Sequence, residues 1–204
     1  MKTPSKDALD LILKYEVGGG KGYYDKYLSG FTWPKGASGP TIGIGVDCGY
    51  YSSEELETIF HFLPEKQINL IKGASGKTGQ AGKQYTTVLR DAGIKVTWEQ
   101  AQKIFETLTW PKFTRLAEKA FPGLDKLCDD AYGAIVSLVF NRGTSMSGES
   151  RSEMREIRSL VPKKDYRSIA LEIQKMKRIW KGKGLDGLLT RRDAESALVL
   201  KCLN

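Results

Sequence analysis

The sequence predicts a helix-rich chain with one small β segment, and three observations carry that expectation. Apolar residues recur at helical spacing over residues 4–17 and again over most of 52–204. Between these stretches, residues 18–51 are rich in glycine and tyrosine and hold Trp33, which suits short strands and turns. Residues 129–141 are apolar nearly all round, as expected of a helix buried at the centre of a helical lobe. With 204 residues and no internal repeat or long linker, one domain over 1–204 is expected.

Taken in order, Pro4 suits a first helical turn, and Ala8, Leu9, Ile12, Leu13 and Tyr15 give the first helix its apolar face. Gly18-Gly19-Gly20 ends it and leaves Glu16 in the last turn, at the negative end of the helix dipole. That placement disfavours the ionised form and so favours the protonated carboxyl, the state a general acid needs. Ser52-Ser53-Glu54-Glu55 reads as a helix start, and Pro64 opens another segment through Ile68 and Ile71. The run from Gly73 to Gly79 lacks the leading glycine and preceding strand of a phosphate-binding loop, so that motif is rejected. Thr97 and Gln100 form a capping box for a helix to about Leu108, resuming past Pro111 to Ala120. Asn141-Arg142-Gly143 closes the buried helix. Basic helices are expected at about 149–160 and 165–179, then a glycine-rich loop over 181–187 and a last helix capped by Thr190.

Chemistry gathers at Gly39-Pro-Thr-Ile-Gly-Ile-Gly-Val-Asp47. Strict alternation along one strand would put Thr41, Gly43, Gly45 and Asp47 on an open face, with Ile42, Ile44 and Val46 in the core. A helix-end acid combined with a Thr and an Asp on a glycine-lined strand suggests a glycosidase. A straight strand would hold Thr41 and Asp47 about 20 Å apart. They can share a water only if the chain bends back, most cheaply at Gly43 and Gly45.

The net charge of +8 is concentrated, with 13 Lys/Arg against 5 Asp/Glu between Arg151 and Arg192. A basic face of this kind suits a polyanion such as nucleic acid, an anionic membrane or an acidic cell wall, and equally a set of solvated helix faces. Cys48, Cys128 and Cys202 have no metal-type spacing, and free buried thiols are favoured over a disulfide pair. His61 is the single histidine, which argues against His-based triads and zinc sites. No apolar run is long enough to span a bilayer, and the charged N-terminus lacks the apolar region of a signal peptide.

Glu16, then Thr41-Ile-Gly-Ile-Gly, then Phe140-Asn-Arg-Gly143, then Gly187-Leu-Leu-Thr-Arg-Arg-Asp-Ala-Glu195 together resemble the phage-type lysozymes in order and spacing. The resemblance implies an α+β, lysozyme-like fold. In that fold a mostly helical lobe (about 52–204 with helix 4–17) and a small β-hairpin lobe (about 18–51) meet around a central helix. It also implies a muramidase, which hydrolyses the β-1,4 bond between N-acetylmuramic acid and N-acetylglucosamine in peptidoglycan. Glu16 then looks like the general acid and Thr41 like the hydroxyl that holds the attacking water. For the second carboxylate, Asp25 has the spacing of the short phage enzymes. Asp47 has the spacing of the pesticin-like toxins, whose Trp-Pro-x-Gly-x-Ser-Gly segment is matched by residues 33–39. Val46, where the short phage enzymes carry His, also favours Asp47.

Asn141, Arg142 and Tyr50 are candidate substrate contacts. For Arg191 and Arg192 a structural role is expected, with one bridging to a carboxylate near the site. No metal or organic cofactor is implied. The expected partner is the peptidoglycan glycan strand, bound by a monomer without nucleic acid or membrane insertion. A cognate immunity protein is expected if the chain is an antibacterial effector rather than a phage endolysin. Either would be made in the cytoplasm and act in the periplasm or on the wall. The rival expectations are a lytic transglycosylase and a non-catalytic, basic wall-binding protein.

Overall fold

The structure is a computed structural model describing residue 2 and residues 4–203. The fold is mostly helical with one small two-stranded antiparallel sheet, and the chain divides into two compact units. One unit comprises residues 1–16 and 110–204, the other residues 17–109.

In the helical unit, α1 (Lys6–Val17) carries Ala8, Leu11, Ile12 and Leu13 on its buried face. After α7 (Trp110–Ala120) comes α8 (Asp129–Arg142), buried without a break from Ala131 to Val139 as its all-round apolarity predicts. Gly133 of α8 lets α1 approach, because a Cβ there would stand 2.1 Å from that of Ala8. α8 packs against α7 and α11 (Asp186–Leu200), and α10 (Tyr166–Lys175) packs against both α11 and α9 (Ser152–Leu160). The last helix starts one turn before its expected cap. Thr190 lies within α11, and its hydroxyl donates back to the carbonyls of Asp186 and Gly187.

In the second unit, Gly18 takes a left-handed φ of +70° and ends α1's pattern as expected. The strands-and-turns expectation then fails for residues 20–27, which form α2 (Gly20–Tyr27). One tertiary contact and one local ring pair outweigh the weak helix propensity of this glycine-rich stretch. Tyr24 is fully buried with its hydroxyl donating to Val96 O at 2.8 Å, and the Tyr23 and Tyr27 rings stack one turn apart. The straight-strand expectation for 41–47 also fails. β1 (Thr41–Ile42) and β2 (Val46–Asp47) form a tight antiparallel hairpin that pairs Thr41 with Asp47 and Ile42 with Val46. The bend falls at Gly43 and Gly45, whose φ of +67° and +78° few other residues adopt. Ile42, Ile44 and Val46 are buried as expected.

Helices α3 (Ser53–Ile59), α4 (Glu65–Lys72) and α6 (Trp98–Ile104) begin where their Ser52, Pro64 and Thr97 signals put them. Helix α5 (Gly79–Asp91) gave no comparable signal. Its Gly82 meets the backbone of Gly39 so closely that a Cβ would lie 2.8 Å from that Cα, so packing rather than propensity fixes this helix.

Cys128 and Cys202 are joined as a disulfide with Cα atoms 6.1 Å apart, which corrects the free-thiol expectation for both; Cys48 is free and buried. The bond ties the N-cap of α8 to the turn after α11, closing a loop with a sequence separation of 74. Linear spacing could not reveal it, because the fold alone brings the two ends together. Chain entropy gives such a crosslink about 4 kcal/mol. Replacing Cys202 with Ser, or adding reductant, is expected to lower the urea midpoint markedly without loss of helical signal in native buffer.

Candidate active site

The helical unit supplies an acid held from beneath. Glu16, in the last turn of α1, lines an open cavity of about 410 Å³ with Tyr15, Asn141, Asp186, Leu188 and Arg191. Its side chain is 28% exposed, whereas that of Arg191 is only 3% exposed. Arg191 Nη1 donates to Glu16 Oε1 at 2.7 Å. The same guanidinium donates through Nε to Glu195 Oε1 at 3.2 Å and through Nη2 to both oxygens of Ser137 at 3.1 and 3.2 Å. Ser137 Oγ in turn donates to Glu195 Oε1 at 2.6 Å, and Arg192 Nη2 reaches that oxygen at 2.9 Å.

Each partner is placed by helical spacing. Glu195 stands four and three residues after the two arginines on α11, and Ser137 faces it from the middle of α8. Arg191 is thus spread over four acceptor oxygens on three residues, a use of the planar fork that a lysine could not reproduce. The expectation that one of the paired arginines bridges to a carboxylate is met at Glu16. Ser137 and Glu195 were not foreseen as its supports, although the Arg-Arg-x-x-Glu spacing carried the signal.

The second unit brings Thr41 and Asp47 face to face across the hairpin. Asp47 also caps the short 3₁₀ turn Cys48–Tyr50. Its Oδ1 accepts from Gly39 N at 2.9 Å and Gly49 N at 3.1 Å, while Oδ2 receives only the longer arm from Gly39 at 3.1 Å. Oδ2 is therefore the oxygen with spare acceptor capacity. Gly39 must be glycine here, because a Cβ would fall 2.7 Å from Asp47 Oδ1. The Thr41 hydroxyl donates to Gly39 O at 3.2 Å, which leaves its lone pairs free to accept from a water.

Tyr50 is 65% exposed, with its hydroxyl donating to Ala37 O. Asp25 lies apart from the hairpin pair. It sits exposed on α2, 3.2 Å from Lys21, and lines a separate cavity of about 490 Å³ with Tyr27, Trp33, Arg90 and Lys95. Arg142 does not line the Glu16 cavity as Asn141 does. Its guanidinium donates to Ser150 O and stacks over Trp180.

Residues 71–195 match the phage lysozyme family. The chain belongs to that family. The matched span takes in Ser137, Arg191 and Glu195, and it ends short of Glu16, Thr41 and Asp47 on the N-terminal side. Membership makes the chain a lysozyme-like enzyme. Its fold is similar to that in the crystal structure of the active form of P1 phage endolysin Lyz. That likeness has a TM-score of 0.50 and 19% identity and covers 98% of this chain and 86% of that one, so it speaks to fold alone. No curated protein matches the sequence.

Two substitutions test this geometry. Replacing Glu195 with Gln strips the buried arginines of their shared counter-charge, and the expected loss is about 3–5 kcal/mol in equilibrium unfolding. Asp47→Ala leaves the Gly39 and Gly49 amides without their acceptor. It is expected to destabilise the protein by roughly 1–3 kcal/mol, and Asp47→Asn, which keeps one acceptor oxygen, by less.

Proposed function

We propose that this protein is a peptidoglycan hydrolase that cleaves the β-1,4 bond between N-acetylmuramic acid and N-acetylglucosamine. Glu16 protonates the leaving glycosidic oxygen, Asp47 activates a water, and Thr41 holds that water, giving inversion at the anomeric carbon. The observation that carries the proposal is a partly exposed Glu16 fixed at a cavity wall by a buried arginine. General acids must be aimed as well as available, and a fork anchored on Glu195 and Ser137 supplies aim.

The pairing of Thr41 with Asp47 supports Asp47 over Asp25, whose cavity contains neither hairpin residue. The spacing of these groups also favours the pesticin-like branch. Asn141 and Tyr50 serve the glycan strand, Asn141 from the Glu16 cavity and Tyr50 through its exposed ring. The whole chain acts as one catalytic domain, on the wall or in the periplasm, and as a monomer. Its use is bacterial lysis, as an endolysin or as a secreted effector with an immunity partner. No helix among the described residues is long and apolar enough to cross a membrane. The basic surface between Arg151 and Arg192 steers the enzyme to anionic wall polymers.

Glu16→Gln is expected to lose about 100-fold or more of wall-clearing activity while still sedimenting with isolated sacculi. Full clearing by that variant would leave catalysis through Glu16 untenable. Mass spectrometry of the wild-type digest should show reducing muropeptide ends. Anhydro ends would reassign the protein as a transglycosylase, and retention in the first anomer trapped would overturn inversion.

A further inference from the structure

Beside the Glu16 cavity, the helical unit gathers a second group of charges around Trp180. The Arg142 guanidinium lies 4.9 Å from the centre of a Trp180 ring, and that of Arg192 lies 5.6 Å away. Arg192 is fully buried, and Arg142 and Arg151 are partly so. Some of their N–H groups are used, since Arg142 Nη2 donates to Ser150 O and Arg192 is paired with Glu195.

Arg142 Nε and Nη1, Arg151 Nη1 and Arg192 Nη1 are buried with no hydrogen-bond partner among the described residues. Buried polar groups of folded proteins are almost always paired, and charged donors most of all. The nearby carboxylates are already engaged, Glu153 by Arg178 and Glu195 by both Arg191 and Arg192. Arg191 and Arg192 share Glu195 and Arg178 takes Glu153, and neither Arg142 nor Arg151 has an ion pair among the described residues. Burial, with Arg151 and Arg192 close by, pushes the Arg142 guanidinium down to about 10. Most of the adjoining stretch 143–150 is exposed, so the cluster is flanked by surface residues and movement of these would open it to solvent.

We propose that Arg142, Arg151 and Arg192 form a binding site for a phosphate group. A phosphate carries close to two negative charges near neutral pH and offers several oxygens to the guanidinium forks. The glycan strand carries no phosphate, so this site differs in ligand chemistry from the glycan site, and it does not depend on Glu16 being catalytic. It shares α8 and α11 with the Glu16 cavity through the neighbouring residues Asn141 and Arg191.

The test titrates the intact protein with sodium phosphate, and with sodium chloride at matched ionic strength, following thermal denaturation and tryptophan fluorescence. Phosphate is expected to raise Tm along a saturating curve and to change the Trp180 emission, whereas chloride does neither. Arg151→Gln should weaken phosphate binding about tenfold or more, as for loss of one charge-assisted hydrogen bond. Arg151→Lys, which keeps the charge without the fork, should weaken it less and serves if the Gln variant does not fold. In Trp180→Phe the fluorescence change should vanish. A parallel titration with glycerol 3-phosphate separates sources. Equal binding assigns the site to a phosphate carried on a larger molecule, and binding of inorganic phosphate alone assigns it to the free ion. No saturable response to either compound, or an undiminished response in both Arg151 variants, would overturn the proposal.

Discussion

The structure depends on how a buried guanidinium is satisfied. Arg191 sits almost without solvent between α8 and α11, and its donors are divided among Glu195, Ser137 and Glu16. Burying a lone arginine would be prohibitive, and pairing it with one carboxylate would leave most of the fork idle. Using Glu195 and Ser137 as inner acceptors frees one arm for Glu16, a partly exposed side chain in the last turn of α1. The network therefore converts the stability of the helical core into a fixed position for one partly exposed carboxylate.

A different device operates in the unit of residues 17–109. There Asp47 is held by backbone amides rather than by a counter-charge, and Gly39 brings one of those amides within reach. The hairpin turn at Gly43 and Gly45 sets the register that opposes Thr41 to Asp47. One carboxylate is thus aimed by an ion pair in a packed helical core and the other by a loop of close-packed glycines. Substitutions near the first should act mainly on core stability, and those near the second on local hairpin order.

Much of this was legible in the sequence wherever a local rule governs. The all-round apolarity of 129–141, the capping signals at Ser52 and Thr97 and the glycine stop after Glu16 each gave the element found. The bend needed to bring Thr41 to Asp47 was also legible, because only glycines could make it cheaply. What escaped was fixed by partners distant in the chain. Helix α2 owes its form to the Tyr24 hydroxyl on Val96, and α5 to the approach of Gly82 to Gly39. The Cys128–Cys202 disulfide joins ends that only the fold brings together. The roles of Ser137 and Glu195 needed the α8–α11 packing, although the paired arginines had pointed toward a carboxylate.

The most direct measurement of the central claim is the steady-state kinetics of Arg191→Lys on a soluble glycan substrate, alongside its unfolding curve. Lysine keeps the charge but cannot reach Glu195, Ser137 and Glu16 at once. The account predicts a folded enzyme whose kcat falls about 100-fold while KM stays near that of wild type. An unchanged kcat in a folded Arg191→Lys protein would show that Glu16 finds its position without the buried fork, and would contradict the account.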